Sequence, residues 1–255
     1  MTIRTNNFSW RRWYGLITLL LVSSCDVYKM ENCPSYVVCY VNLESIVLTA
    51  EPSNPQCLLI KHGNDLPITA YWLHSTGPDK ERYEQLCKKH NDLTYNRYRS
   101  LSHIPYESVT YNACDFTDIN ITTDKDFDQN HPAGTDLADI VRFMSWSPNK
   151  YILSGYKQYY HYKKSDVSEI FDKIMRIYIN KDHFDYTTDM TCYPIDKLTE
   201  DLNVEDLVLL GDDSPGLLGI LYFENIPQEK GEYTITVTIR TDNDKNLVNS
   251  VKMTF

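Results

Sequence analysis

Towards its C-terminus the chain alternates apolar and polar positions. Tyr233, Ile235, Val237 and Ile239 interleave with Thr234, Thr236, Thr238 and Arg240. A period of two puts one set on one face of a β-strand and the other set on the opposite face. Gly231 to Thr241 and Asn246 to Phe255 therefore predict an antiparallel pair closed by Asp242-Asn243-Asp244-Lys245, with a third strand over Leu217 to Phe223. Strand formers also crowd Ser35 to Ala50, which predicts one or two strands before a turn marked by Pro52 and Pro55. Leu58 to Ile60 and Ile68 to Leu73 continue as strands, and Gly63-Asn64-Asp65 between them suggests a hairpin. Ser108 to Thr122 alternates around Cys114-Asp115-Phe116 and predicts two strands separated by a kink.

Three stretches break this pattern. Asp79 to Asn91 carries helix formers, repeats Tyr83 and Leu86-Cys87 at helical spacing, and follows Pro78 where helices commonly begin. Asp166 to Tyr178 spaces Val167, Ile170, Phe171, Ile174 and Ile177 as one helix face with Ser165 as a cap, although a strand over Ile174 to Ile179 competes with it. Thr135 or Asp136 is placed to cap a third short helix. The fold class is mainly β: an antiparallel β-sandwich, immunoglobulin-like forms included, with one to three short helices. Residues 36–255 read as a single domain with a point of subdivision near residue 150.

The first 24 residues hold Arg4, Arg11 and Arg12 and no acid, ahead of an apolar run from Trp13 to Val22. About ten apolar residues form a signal-peptide core, whereas a spanning helix needs roughly 20. Val22-Ser23-Ser24-Cys25 follows and resembles the bacterial lipobox, in which small residues precede a cysteine acylated before cleavage. That resemblance implies a signal over residues 1–24, lipidation of Cys25 and a lipid-proximal tether over 25–35. The protein would then be held at a membrane by its N-terminal lipid.

Charge narrows the partners. The chain has 25 bases against 35 acids; without residues 1–24 and their three arginines the balance is 22 against 35, or −13. Nucleic-acid binding rests on concentrated positive charge, so nucleic acid is not expected as a partner. Six cysteines besides Cys25 allow up to three disulfides in an oxidising compartment, with 15 connectivities that sequence cannot sort, and a habitat without oxidant leaves thiols.

The run Ile121 to Val141, "ITTDKDFDQNHPAGTDLADIV", together with the lipobox, resembles uncharacterised lipoproteins of Bacteroides-type bacteria, where "DFD…HPAG" loops recur. The resemblance covers about 20 residues closely and implies a cell-envelope location, the outer membrane included. It implies no activity.

Three sets of residues bear on chemistry. Asp124, Asp126 and Asp128 alternate like the opening of a calcium loop, but Gln129 stands where such loops place glycine and Thr135 where they place glutamate. The competing reading is a solvated loop whose aspartates cap turns. His131 in the same loop has no partner visible in sequence. Trp146, Tyr159, Tyr160 and Tyr162 are suited to stacking on sugar rings, and equally to packing a half-buried sheet surface. No GxSxG, HExxH, P-loop or GxGxxG stretch occurs. The expected function is a non-enzymatic binding or accessory module, with a glycan or another envelope protein as partner. The alternative is an envelope hydrolase that uses paired carboxylates on glycans or peptides.

Overall fold

A computed structural model describes residues 30–63, 69–100, 110–178, 190–211 and 216–255. The expected signal and Cys25 lie outside the described residues. The strands are β1 (Met30–Cys33), β2 (Cys39–Val41), β3 (Ile46–Ala50), β4 (Cys57–His62), β5 (Ala70–Trp72), β6 (Arg97–Ser100), β7 (Thr110–Asn112), β8 (Phe116–Thr123), β9 (Val141–Ser147), β10 (Tyr193–Leu198), β11 (Leu217–Phe223), β12 (Glu232–Thr241) and β13 (Asn246–Thr254). Three α-helices are present among the described residues: α1 (Pro78–Lys89), α2 (Asn149–Leu153) and α3 (Glu169–Tyr178). None of them is long and apolar enough to cross a membrane.

The alternation of β12 buries Tyr233, Ile235, Val237 and Ile239. It is the central strand of an antiparallel sheet ordered β13-β12-β8, in which Val237 lies opposite Asn249 on one side and Ile121 on the other. That apolar face packs on a second antiparallel sheet, β10-β9-β11-β4-β3, and the two share one core that includes Leu58, Ile60, Phe143, Leu221 and Phe223. The sheets meet along β3 and β13, where Asn249 Nδ2 donates to the carbonyl of Ile46 at 2.7 Å. The result is a mainly-β, sandwich-like fold with short helices.

The five-stranded sheet is covered on its other face as well. Cys57, Leu59, Met144, Trp146 and Ile220 pack there with Phe171 and Ile174 of α3. Burial on both faces explains why β4 opens on a continuous apolar run, Cys57 to Ile60, and why β9 buries residues of both parities. Helical spacing prevails over the competing strand from Ile174, and the cap is Ser168, whose Oγ accepts from Phe171 N at 3.1 Å, rather than Ser165.

A third core gathers Cys33, Tyr36, Val37, Val38, Tyr40, Tyr83, Leu86, Tyr111, Tyr151 and Ile152 between α1, α2, the β1-β6 ribbon and the sheet β5-β2-β7. Two sequence expectations change here. Met30–Cys33 is a strand and Cys33 and Ser35 are buried, so the expected tether is folded from residue 30 onward. β4 pairs with β3 and β11 while β5 pairs with β2, so Gly63 does not open a hairpin; residues 64–68 lie outside the described residues. No helix follows Thr135 either. Leu137 N donates to Ile121 O, and the Asp136 carboxylate accepts from Ile121 N, so this segment is bound along β8 instead.

Candidate functional site

Two helix ends build the most distinctive site. α1 stops in a Schellman motif: Asn91 adopts φ 55°, its N–H reaches Lys88 O, and Asp92 N reaches Cys87 O. α2 stops in the same way, with Gly155 at φ 68°, Gly155 N on Ile152 O and Tyr156 N on Tyr151 O. The residue that completes each motif then meets the other, because Tyr156 Oη donates to Asp92 Oδ1 at 2.8 Å. Asp92 is fully buried and also accepts from Tyr36 N at 2.6 Å and Val37 N at 2.8 Å. Burial pushes its carboxyl above the usual range, and the three donors only partly offset this. Tyr156 itself sits at φ 62°, a left-handed conformation that costs a bulky residue about 1–2 kcal/mol. Such strain persists where the surroundings impose it, and it concentrates at functional sites.

Around this link the tyrosines form a continuous array. Tyr95 contacts Tyr36 and Tyr156 with ring centroids 5.4 and 5.0 Å apart, and Tyr151 contacts Tyr36, Tyr156 and Tyr159 at 5.4, 5.8 and 5.0 Å. Tyr36 and Tyr151 are buried, whereas Tyr95, Tyr156 and Tyr159 are half-exposed. Arg97 lies 5.2 Å above the Tyr95 ring and reaches the Tyr159 hydroxyl at 3.5 Å. The adjoining turn is rigid, since Ser154 Oγ accepts from Lys157 N and Gln158 N, and Tyr193 Oη donates to Gln158 O at 2.7 Å.

The aromatic residues singled out from sequence fall into two groups. Tyr159 belongs to this array. Tyr160 and Tyr162 face the core under α3, where Tyr160 also contacts Tyr193 at 5.4 Å. Trp146 is corrected as a ligand contact. It is 2 % exposed on the covered face of the five-stranded sheet and packs on Phe171 at 5.3 Å, so no sugar reaches it.

The acidic loop resolves into single-purpose carboxylates. Asp124 accepts from Thr234 N, Asp126 from Ala133 N, and Asp128 from Asn130 N and His131 N. Among the described residues no three His, Cys, Asp or Glu groups are placed to hold a metal ion together. Calcium therefore finds no converging ligand set at Asp124, Asp126 and Asp128. His131 is bridged instead: Nδ1 lies 2.8 Å from Asp128 and Nε2 2.9 Å from Asp139. Burial alone lowers the imidazole pKa, but the two carboxylates outweigh it and hold the pKa above the ordinary value. A raised folded-state pKa stabilises the fold fully below the unfolded value of about 6.5, and that contribution is lost as pH rises through the folded value. Urea unfolding should therefore show His131→Gln destabilised by about 1 kcal/mol near pH 5.5, with the difference shrinking towards pH 8; half-exposed carboxylates keep the figure small. A pH-independent difference would contradict the bridge.

Two carboxylate pairs come together elsewhere, and each is spanned by a cation. Lys89 Nζ lies 2.6 Å from Asp115 and 2.5 Å from Asp242; Arg142 joins Asp196 and Glu224 at 3.2 and 2.7 Å. Both join separate parts of the chain as structural ties. Cys39, Cys57, Cys87 and Cys114 are buried thiols without disulfides, and burial pushes Cys39 and Cys57 up to about 12 and Cys87 and Cys114 up to about 11. They act as small apolar side chains.

Sequence reasoning missed Asp92, Tyr95, Arg97 and Tyr193. Asn91 after Lys88-Lys89-His90 and Gly155 after Ser154 were the visible signals, since Asn and Gly favour the residue that ends a helix in left-handed geometry. No family model, curated protein or solved structure matches this chain.

Proposed function

We propose that this chain is a lipid-anchored protein of the bacterial cell envelope, at the outer membrane, whose tyrosine array binds glycan without catalysis. The observation that carries the binding reading is the array itself. Half-exposed Tyr95, Tyr156 and Tyr159 sit on buried Tyr36 and Tyr151, and the turn behind them is fixed by side-chain hydrogen bonds. Tyrosine offers a broad apolar face and a polar edge with little rotamer entropy to lose, which suits recognition of sugar rings. The lipobox at Cys25 and the likeness to Bacteroides-type lipoproteins support the address, and an envelope location places the array where glycans are met.

The test has two parts. Cys25→Ala is expected to move the protein from the membrane fraction to the soluble fraction; retention in the membrane with an unmodified Cys25 in the wild type would refute the anchor. A glycan microarray probed with the detergent-solubilised full-length protein is expected to give reproducible hits, and a blank array would refute the binding reading.

A further inference from the structure

Two cations at the array are held by tyrosine rings. Lys80, Lys89, Arg142, Lys197, Lys245 and Lys252 each sit beside a carboxylate, as expected for a chain with ten more acids than bases. At the array tyrosine faces take the place of such carboxylates. Arg97 and Lys150 are exposed, and among the described residues no carboxylate pairs with either. Both are held on tyrosine faces, Arg97 at 5.2 Å over Tyr95 and Lys150 at 5.6 Å over Tyr193. The segment from Pro148 to Ser165, which supplies most of the array, contains Lys150, Lys157, Lys163 and Lys164 and no acid. Asp92, the acid beneath the array, is fully buried and engaged by three donors, so it presents no charge to the surface. Cations held in place without counterions, beside aromatic faces, fit an anionic partner that also has rings to stack.

We propose that the glycan bound here is acidic, a polysaccharide bearing uronate carboxylates or sulfate esters, with Arg97 and Lys150 as its charged contacts and Tyr159 as its stacking floor. This inference rests on the glycan-binding reading above and specifies its ligand class. The guanidinium of Arg97 is planar and multiply donating, so it grips a carboxylate or sulfate through paired hydrogen bonds while its other face stays on Tyr95.

Titration calorimetry on the detergent-solubilised full-length protein tests it, with oligogalacturonate, dextran sulfate, neutral dextran and a single-stranded oligodeoxynucleotide as probes. At least one acidic glycan is expected to bind tenfold or more tightly than dextran and to weaken severalfold between 50 and 300 mM salt. Which acidic probe wins distinguishes carboxylate from sulfate. The Arg97→Gln/Lys150→Gln double variant is expected to lose about tenfold on the acidic probe while its circular dichroism and Tm stay unchanged. Dextran binding as tightly as the acidic probes, without salt dependence, would overturn the acidic ligand and leave glycan binding standing. Binding of no glycan would overturn both readings, and tighter binding to the oligodeoxynucleotide than to any glycan would overturn the acidic-glycan assignment.

Discussion

Asp92→Ala is expected to destabilise the protein by about 3–5 kcal/mol. The substitution leaves the buried N–H groups of Tyr36 and Val37 without acceptors and frees the Tyr156 hydroxyl. Each buried donor left unsatisfied costs about 1–3 kcal/mol, and bonds to a charged acceptor stand at the upper end. Against a typical stability of about 5–15 kcal/mol, that loss is severe. Asp92→Asn keeps the shape but turns an amide N–H towards one of the donors, so its cost should fall to about 1–3 kcal/mol. Charge gives a further signature. Because burial raises the folded-state pKa of Asp92 above its unfolded value, its ionisation lowers stability as pH rises from about 3.8 through the folded value. Asp92→Asn should remove that slope. Denaturant unfolding with near-ultraviolet tyrosine dichroism checks these outcomes, and a cost below about 1 kcal/mol for Asp92→Ala would show that the link between the helix ends carries little.

Gly219→Ala should cost about 2 kcal/mol by a different route. A Cβ at this position of β11 would run into Phe143 Cε2 and lie 2.7 Å from its Cζ and 3.2 Å from Met144 O. Phe143 on the neighbouring strand is fully buried in the sandwich core and paired opposite Leu221, so its ring has no open side to enter. Overpacking a core typically costs about 1–3 kcal/mol, whereas replacing glycine gains only about 0.4–1 kcal/mol through the unfolded chain. The clash wins. Phe143→Leu removes the ring edge that the methyl would meet, so in a double-mutant cycle Gly219→Ala should cost about 1 kcal/mol less in that background. Additive costs would show that the ring is not the obstacle.

What the sequence revealed follows from how each strand is buried. β12 and β13 present one face to the core and the other to solvent, so their alternation was plain. β9 escaped notice because Val141 and Phe143 face the sandwich core while Met144 and Trp146 face α3, which erases a period of two. The glycine and asparagine near residue 63 carry local turn chemistry, but β4 is already flanked by β3 before it and by β11, far along the chain, so no edge is left for β5. The capping signals at Thr135 and Asp136 were real hydrogen-bonding groups spent on β8 and its neighbouring turn rather than on a helix. At the site, Tyr159 and Tyr160 are adjacent in sequence yet enter different cores, because successive residues of an extended segment point opposite ways. Asp92 was illegible for a simpler reason. A lone aspartate after a helix reads as solvated until Tyr36, Val37 and Tyr156 close over it.

Central to this account is a rigid tyrosine surface that holds sugar, and the affinity of Tyr159→Ala for the best glycan from the microarray tests it most directly. Tyr159 is half-exposed, so its removal should leave Tm within a few degrees of the wild type while weakening binding at least tenfold. Unchanged affinity in a folded Tyr159→Ala protein would contradict the account.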